Sequence, residues 1–332
     1  MKVIRFFICF LIMISLVITI SFGAKKIKDA GEVKIGSISN EKTILSVWQI
    51  DSFEGGIGSR RKFLEEIANS YEKIDKSTLF LVMSYTEEGA EENFKNGIYP
   101  DLISYGNGVY PLGAIELDNG NNFNGAKVGE KYLGEVWARG GYYLIENLNF
   151  KGGNLEREEV AVSSAKFTQP IIALLEEGIL NKDLKVLKPL DAYVRFVGGK
   201  CKYLLGTQRD IVRLENKELN VKSTLLNNFS DLNQYISVTT KDAVKREKAK
   251  DFVKFLLSKS QQEKLSKICM GSNYFNVQFE NENLNELNKI NSKIKTISAF
   301  LEKEILLNLK EQSLGAYYGD KEIYNKIKNI LI

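Results

Sequence analysis

The loop Asp51-Ser-Phe-Glu-Gly-Gly-Ile-Gly58 contains the residue types best suited to chemistry in this sequence. It carries two carboxylates, Asp51 and Glu54, with the hydroxyl of Ser52 beside them, and two arginines follow shortly after. Such a loop suits three kinds of site: a cradle for phosphate groups, a pair of catalytic carboxylates, or one wall of a pocket that only binds.

The spacing within this loop weakens the first two interpretations. A phosphate-binding P-loop needs Lys-Ser or Lys-Thr after its second glycine, and this loop has neither. Glycosidase carboxyls lie about 5–9.5 Å apart on opposite sides of the bond, so Asp51 and Glu54 on one loop would need a partner elsewhere. A binding role requires less, because carboxylates accept hydrogen bonds from neighbouring sugar hydroxyls. A structural role as a helix N-cap with glycines for the turn stays equally open.

Composition excludes several function classes. The chain of 332 residues contains no histidine, which rules out Ser-His-Asp and Cys-His nucleophiles and imidazole-ligated metals. We expect no metal, no cofactor and no enzymatic activity, although carboxylate-only hydrolysis survives the exclusion. A formal net charge of +4 is small for this length, so we expect no nucleic-acid partner. The length suits two domains.

The N-terminus has the order of an export signal: basic residues at Lys2 and Arg5, an apolar run over 6–20, then small residues. The small-x-small spacing predicts cleavage before Ala24, which would make 1–23 a signal peptide. Two lysines follow at once, so an uncleaved N-terminal anchor stays open. We expect an exported protein, extracellular or held at the cell surface.

The alternation of short apolar runs with amphipathic helical patterns predicts an α/β fold with doubly wound parallel sheets. Residues 43–50, 79–85 and 101–105 are strand-like, and a helical pattern follows the first of them. Later strand-like runs and helices indicate a second α/β lobe, and helical periodicity beyond residue 273 indicates a C-terminal cap. Two cysteines follow the N-terminal segment, Cys201 and Cys269. They fall in different predicted lobes, so we expect them unpaired.

Several aromatic and polar residues near predicted strand ends could contact a ligand. Aromatic rings can stack on sugar faces, although most aromatic residues are core. The aromatic candidates are Trp137, Tyr85, Tyr105, Tyr142 and Tyr235, and Trp48 is as easily core. Arg139 and Arg209 could bind a polar ligand in bidentate fashion or form structural salt bridges. Thr86, Thr207 and Gln208 could donate to a ligand or serve only as turn residues.

Four segments in matching order resemble one known family, and together they span about residues 43 to 270. They read ILSVWQIDSFEGGIGSRRKFLEEIANSYEK, NGIYPDLISYGNG, RFVGGKCKYLLGTQRD and QYISVTTKDAVKREKAKDFVKFLLSKSQQEKLSK. The order is similar to that of the extracellular solute-binding proteins of ABC importers, in the large, mostly sugar-binding family that includes maltose-binding protein. Lys202 and Tyr203 depart from the alanine and methionine of that family's pattern.

This resemblance implies a type II periplasmic-binding-protein-like fold, with two doubly wound α/β lobes joined by a hinge. Residues 40–138 and 237–332 would form lobe 1 with its helical cap, and 139–236 would form lobe 2. The resemblance also implies a monomer that captures a small-molecule solute, a sugar, in the cleft between the lobes and delivers it to a membrane permease. A glycoside hydrolase and a surface sensor subunit of the same fold stay as alternatives.

Overall fold

A computed structural model describes residues 42–117, 124–151, 158–215, 217, 219–290 and 294–332. Residues Lys42–Ile332 form one compact unit. The predicted signal segment 1–23 lies outside the described residues. No helix in the described ranges combines the length and the apolar character needed to cross a membrane.

Two five-stranded sheets organise this unit. The first sheet consists of β1 (Thr43–Ile50), β2 (Thr78–Tyr85), β3 (Leu102–Tyr105), β6 (Glu135–Arg139) and β12 (Asn233–Val238). The second sheet consists of β7 (Tyr142–Asn147), β8 (Glu159–Ser163), β9 (Asp183–Leu187), β10 (Tyr203–Thr207) and β11 (Val221–Leu226). The strand orders are β2-β1-β3-β12-β6 and β11-β7-β10-β8-β9. A small hairpin joins β4 (Lys127–Val128) and β5 (Lys131–Tyr132).

Helices cover these sheets and extend the chain at its C-terminus. They are α1 (Arg60–Glu72), α2 (Glu87–Lys95), α3 (Pro170–Glu176), α4 (Pro189–Val197), α5 (Gln208–Leu214), α6 (Ala243–Leu256), α7 (Lys259–Gln262), α8 (Glu282–Asn285), α9 (Lys303–Tyr317) and α10 (Lys321–Ile330). Short 3₁₀ segments lie at Asn124–Ala126, Glu263–Ile268 and Glu286–Lys289. The predicted α/β architecture is therefore present.

Both sheets mix strand directions, whereas the sequence pattern predicted parallel sheets. In the first sheet, β2, β1 and β3 are parallel, but β12 is antiparallel to β3 and to β6. The reason is the path of the chain. It leaves the first sheet at the end of β6 and returns from the second sheet into β12, so the returning strand enters at the edge where β3 ends.

The chain crosses between the sheets twice, at Gly140–Gly141 and at 227–232. The predicted lobe boundary between 236 and 237 falls inside β12, all of which belongs to the first sheet, so the second crossing ends before Asn233. Apolar alternation on β1 builds two cores. Leu45 and Val47 pack in the larger cluster, and Trp48 packs in the smaller one, on the opposite face.

The C-terminal helices contact the second lobe, although the sequence analysis grouped 237–332 with the first. Gln169, the N-cap of α3, donates through Nε2 to the carbonyl of Leu306 on α9 at 2.9 Å. The backbone N–H of Lys182 donates to the Tyr317 hydroxyl at 3.1 Å. These helices thus tie the end of the chain to the second sheet.

One buried carboxyl group makes the stability of this fold depend on pH. Glu135, on β6, is 2% exposed and accepts a hydrogen bond from the Tyr274 hydroxyl at 3.0 Å. Burial raises its pKa from 4.5 to about 7, and the Tyr274 bond only partly opposes that shift. Since the folded state binds this proton more tightly than the unfolded state, stability increases as pH falls from 8 toward 5.

We predict that Glu135→Gln stabilises the protein at pH 8 by about 2–3 kcal/mol, with little gain at pH 5. The amide oxygen of glutamine still accepts from Tyr274, while the cost of burying a charge disappears. Urea unfolding of both proteins from pH 5 to pH 8 measures the difference. An equal effect of the substitution at both pH values would contradict the assigned cause.

Candidate functional site

A pocket of about 350 Å³ lies where the two lobes meet. The loop after β1 and the start of α1 form one wall, and residues of the second lobe form the other. The lining residues are Asp51, Ser52, Phe53, Glu54, Gly55, Gly58, Arg60, Ala165, Pro189 and Arg209. Four of them, Asp51, Ser52, Glu54 and Arg209, are residues that the sequence analysis proposed as ligand contacts.

The glycines of the loop allow it to approach the backbone of another segment closely. Gly56 has a φ of +69°, and a Cβ placed there would lie 2.1 Å from the carbonyl oxygen of Ile268. The next residue, Ile57, donates its N–H to that carbonyl at 2.8 Å. The helix itself begins after Ser59, whose hydroxyl accepts from the Lys62 N–H at 3.3 Å. These contacts assign structural roles to Gly56 and Ser59, which leaves the acids of the loop for the pocket.

Arg60 is the buried cation of the site, and the sequence analysis did not propose it. Its Nε lies 3.2 Å from Asp51 Oδ1, and its Nη1 donates to Gln234 Oε1 at 2.6 Å. Nη2 donates to the carbonyl of Phe53, and the guanidinium lies 4.3 Å from the centre of that ring. Burial lowers its pKa, while Asp51 opposes the shift. The sequence contained a sign of this role. A cation in the first turn of a helix is destabilised by the helix dipole, so an arginine at that position indicates a compensating interaction.

Glu54 connects the loop of the first lobe to helix α5 of the second. Its Oε2 accepts from Arg213 Nη2 at 3.2 Å and lies 3.7 Å from Arg209 Nε. Its backbone carbonyl accepts from the Thr207 hydroxyl at 3.1 Å. Asp51 and Glu54 therefore face the same pocket, but only Glu54 forms contacts across the cleft.

Thr207 and Gln208 have local partners in the structure. Thr207 is the N-cap of α5 in a capping box with Asp210, whose carboxyl pKa is raised by burial. Gln208 is fully buried and accepts the Gly141 N–H at 3.1 Å, so it links α5 to the first crossing segment. Both residues lie beside the pocket, and their side chains hold the backbone around it.

The structure buries most of the proposed stacking residues. Tyr105 and Tyr235 are fully buried and stacked on each other, and Trp137 is stacked on Phe63 with ring centres 5.6 Å apart. Tyr142 is 1% exposed. None of these rings lines the 350 Å³ pocket, although Tyr142 lines a small cavity next to it together with Glu54 and Thr207.

Tyr85 and Thr86 lie at the end of the edge strand β2. Tyr85 packs on Trp48, which belongs to the smaller core cluster, and Thr86 caps helix α2 by accepting from the Gly89 N–H at 3.1 Å. Arg139 is likewise structural in its contacts. It donates to Asn273 Oδ1 at 3.0 Å and to the carbonyl of Ile290, and burial lowers its pKa to about 10. These three residues do not line the pocket.

A second residue missed by the sequence analysis, Asp231, lies on the crossing segment 227–232. It accepts from the Tyr142 hydroxyl at 2.6 Å and from the Gln169 N–H at 2.9 Å. Burial raises its pKa to about 6, against the effect of these hydrogen bonds.

Within the described residues no cluster of Cys, Asp and Glu could hold a metal ion. Cys201 and Cys269 are both free.

Comparison with known proteins identifies the fold. No protein-family model and no curated protein matches the sequence. Many solved structures do match, among them a chitin oligosaccharide binding protein, with a TM-score of 0.56 and 10% identity over 87% of this chain and 98% of that one. Maltose-bound MalE3 of T. maritima matches with a TM-score of 0.54 and 11% identity, over 87% of this chain and 98% of its own.

The fold is that of the maltose-binding-protein-like solute-binding proteins. The resemblance noted in four sequence segments is thereby confirmed at the level of the fold, with two α/β lobes joined by a hinge. A two-component system protein that mediates signal transduction also matches, with a TM-score of 0.51 and 14% identity over 81% of this chain and all of that one. The solute-binding-protein fold thus places the pocket between two lobes, with residues contributed by each.

We predict that Arg60→Met lowers the free energy of unfolding by about 2–4 kcal/mol, because Gln234 and the Phe53 carbonyl lose a buried charged donor. Arg61→Met is the matched control, since Arg61 lies next along α1, pairs with Glu65 at 3.0 Å and makes one long contact of 3.5 Å with the Val82 carbonyl. It should change stability by less than about 0.5 kcal/mol. Urea unfolding measures both, and equal losses would show that Arg60 is no more than a surface cation.

Proposed function

We propose that this protein is the extracytoplasmic substrate-binding component of an ABC importer. In this role it is exported, binds a small solute without chemical change, and presents it to a membrane permease. The solute class that we propose is carbohydrate. The observation that carries the proposal is the interlobe pocket, which is lined by Asp51, Glu54 and Arg60 from one lobe and by Pro189 and Arg209 from the other.

A pocket divided between two lobes suits capture by closure. A solute that touches both walls gains contacts only when the lobes are together, and only such a difference in affinity can shift the equilibrium toward the closed form. The proteins of this fold reported above include one bound to maltose and one that binds chitin oligosaccharides. Their ligands support the choice of carbohydrate for this chain.

A sensing role is the second candidate, and the two-component system protein of the same fold favours it. The same pocket would then report the solute to a membrane kinase instead of releasing it to a permease. Binding experiments alone do not separate these roles. Co-purification with a permease or with a kinase from the native membrane does.

We predict that thermal-shift screening with mono- and oligosaccharides yields a ligand that stabilises the protein and is recovered intact. With this ligand, small-angle scattering should show compaction. Stabilisation without compaction would contradict the hinge mechanism, and release of a cleaved sugar would replace the binding role with hydrolysis.

Asp51→Asn should weaken binding of that ligand about tenfold, because a neutral amide replaces a charged acceptor in the pocket. Asp251→Asn is the matched control, since Asp251 is 60% exposed, pairs with Lys254 at 3.4 Å and does not line the pocket. Isothermal titration calorimetry of both variants compares the effects. Equal affinity of wild type and Asp51→Asn would place the ligand elsewhere.

A further inference from the structure

Arg209 is the pocket residue with the most unused hydrogen-bond donors. Its Nε lies 3.7 Å from Glu54 Oε2, beyond hydrogen-bond distance, and its guanidinium donates to no other group within the described part of the chain. Arg60 differs, since its Nε, Nη1 and Nη2 are directed at Asp51, Gln234 and the Phe53 carbonyl. Arg209 is thus ion-paired with Glu54 through Nε and presents the Nη1 and Nη2 donors of its planar fork to the pocket, the geometry that matches a carboxylate.

Each acid of the pocket keeps one oxygen for a ligand. Asp51 Oδ1 accepts from Gln49 Nε2 at 3.0 Å and faces Arg60, while Oδ2 accepts no hydrogen bond from the described residues. Glu54 Oε2 faces Arg213 and Arg209, while Oε1 likewise accepts none from them. Both side chains are partly exposed, at 49% and 41%. These free acceptors suit hydroxyl donors on the same molecule that Arg209 binds.

Among the described residues that line it, the pocket has no open aromatic face on which a neutral sugar ring could stack. Phe53 is the aromatic residue of the lining, and its ring is covered by the Arg60 guanidinium at 4.3 Å. Stacking is a large part of what an aromatic residue contributes to a sugar site. Charge and hydrogen bonding must then carry recognition in this pocket.

Two helix N-terminal ends at the pocket favour an anion. The side-chain charges around the pocket balance, since three arginines, Arg60, Arg209 and Arg213, face three carboxylates, those of Asp51, Glu54 and Asp210. Helix α1 begins at the pocket with Arg60, and α4 begins there with Pro189. Their N-terminal ends add positive potential.

We infer that the solute is a sugar acid, with its carboxylate bound by Arg209 and its hydroxyls donating to Asp51 and Glu54. This inference rests on the proposed function, because it specifies the solute class of the same pocket. It makes Arg209 the residue that distinguishes an acidic sugar from its neutral counterpart.

Calorimetry with matched pairs of ligands tests the inference: glucose against glucuronate, galactose against galacturonate, and short neutral oligosaccharides against short oligouronates. The protein is compared with Arg209→Gln, which keeps a polar side chain and removes the charge. Arg195→Gln is the matched control. Arg195 belongs to the same lobe and carries the same charge, but it pairs with Glu159 at 2.6 Å and does not line the pocket.

A uronate should bind at least tenfold more tightly than its neutral partner. Arg209→Gln should weaken uronate binding about tenfold to hundredfold, because it loses a hydrogen bond to a charged group. Arg195→Gln should bind uronate as tightly as the wild type. Circular dichroism of both variants confirms folding.

Tighter binding of a neutral sugar, with no effect of Arg209→Gln, would overturn the inference and leave the carbohydrate-binding function standing. Tight uronate binding that survives Arg209→Gln would also overturn it, because the anion would then be held elsewhere. Failure of both sugars and uronates to bind would overturn the inference together with the proposed carbohydrate.

Discussion

A buried carboxylate, that of Asp231, joins the two segments through which the chain crosses between the sheets. It lies on the crossing segment 227–232 and accepts from Tyr142, which begins β7 directly after the crossing at Gly140–Gly141. Its second oxygen accepts from the Gln169 N–H at the start of α3, and its own backbone carbonyl accepts from Asn107 of the first lobe at 3.2 Å. Burial of this group is costly, as its raised pKa of about 6 shows, and the hydrogen bonds offset that cost.

The position of the pocket follows from these crossings. Because β12 returns next to the end of β3, the carboxyl ends of the parallel strands of the first sheet face the second lobe. In α/β folds, loops beyond such strand ends are where ligands collect. The loop after β1 therefore meets the start of α5, where Glu54 contacts Thr207 and Arg213. A charged pocket results from loop residues, while the sheets supply only their placement.

Sequence reasoning located this loop because strand ends are visible in apolar patterning. Asp51 and Glu54 stand directly after TILSVWQI, and both line the pocket. The same reasoning could not sort aromatic residues, because periodicity gives the face of a strand but not whether a helix covers that face. Trp137 lies beside the crossing glycines, yet α1 covers it through Phe63. Asp231 was missed for a related reason, since its partners lie far away in the chain and only the folded crossing brings them together.

The contacts already present across the cleft contribute little free energy to closure. The Glu54 to Arg213 bond joins the lobes without any solute, but both side chains are partly exposed, so it contributes about 0.2–1 kcal/mol at most. Moving a two-state equilibrium from 1:99 to 99:1 takes about 5.5 kcal/mol of differential affinity. A micromolar solute binds with about 8 kcal/mol, so its contacts with both walls are large enough to decide the position of the lobes. In the proposed mechanism the solute governs closure, and interlobe ion pairs, such as Glu54 with Arg213 and Lys166 with Glu88, set only the starting population from which the solute acts.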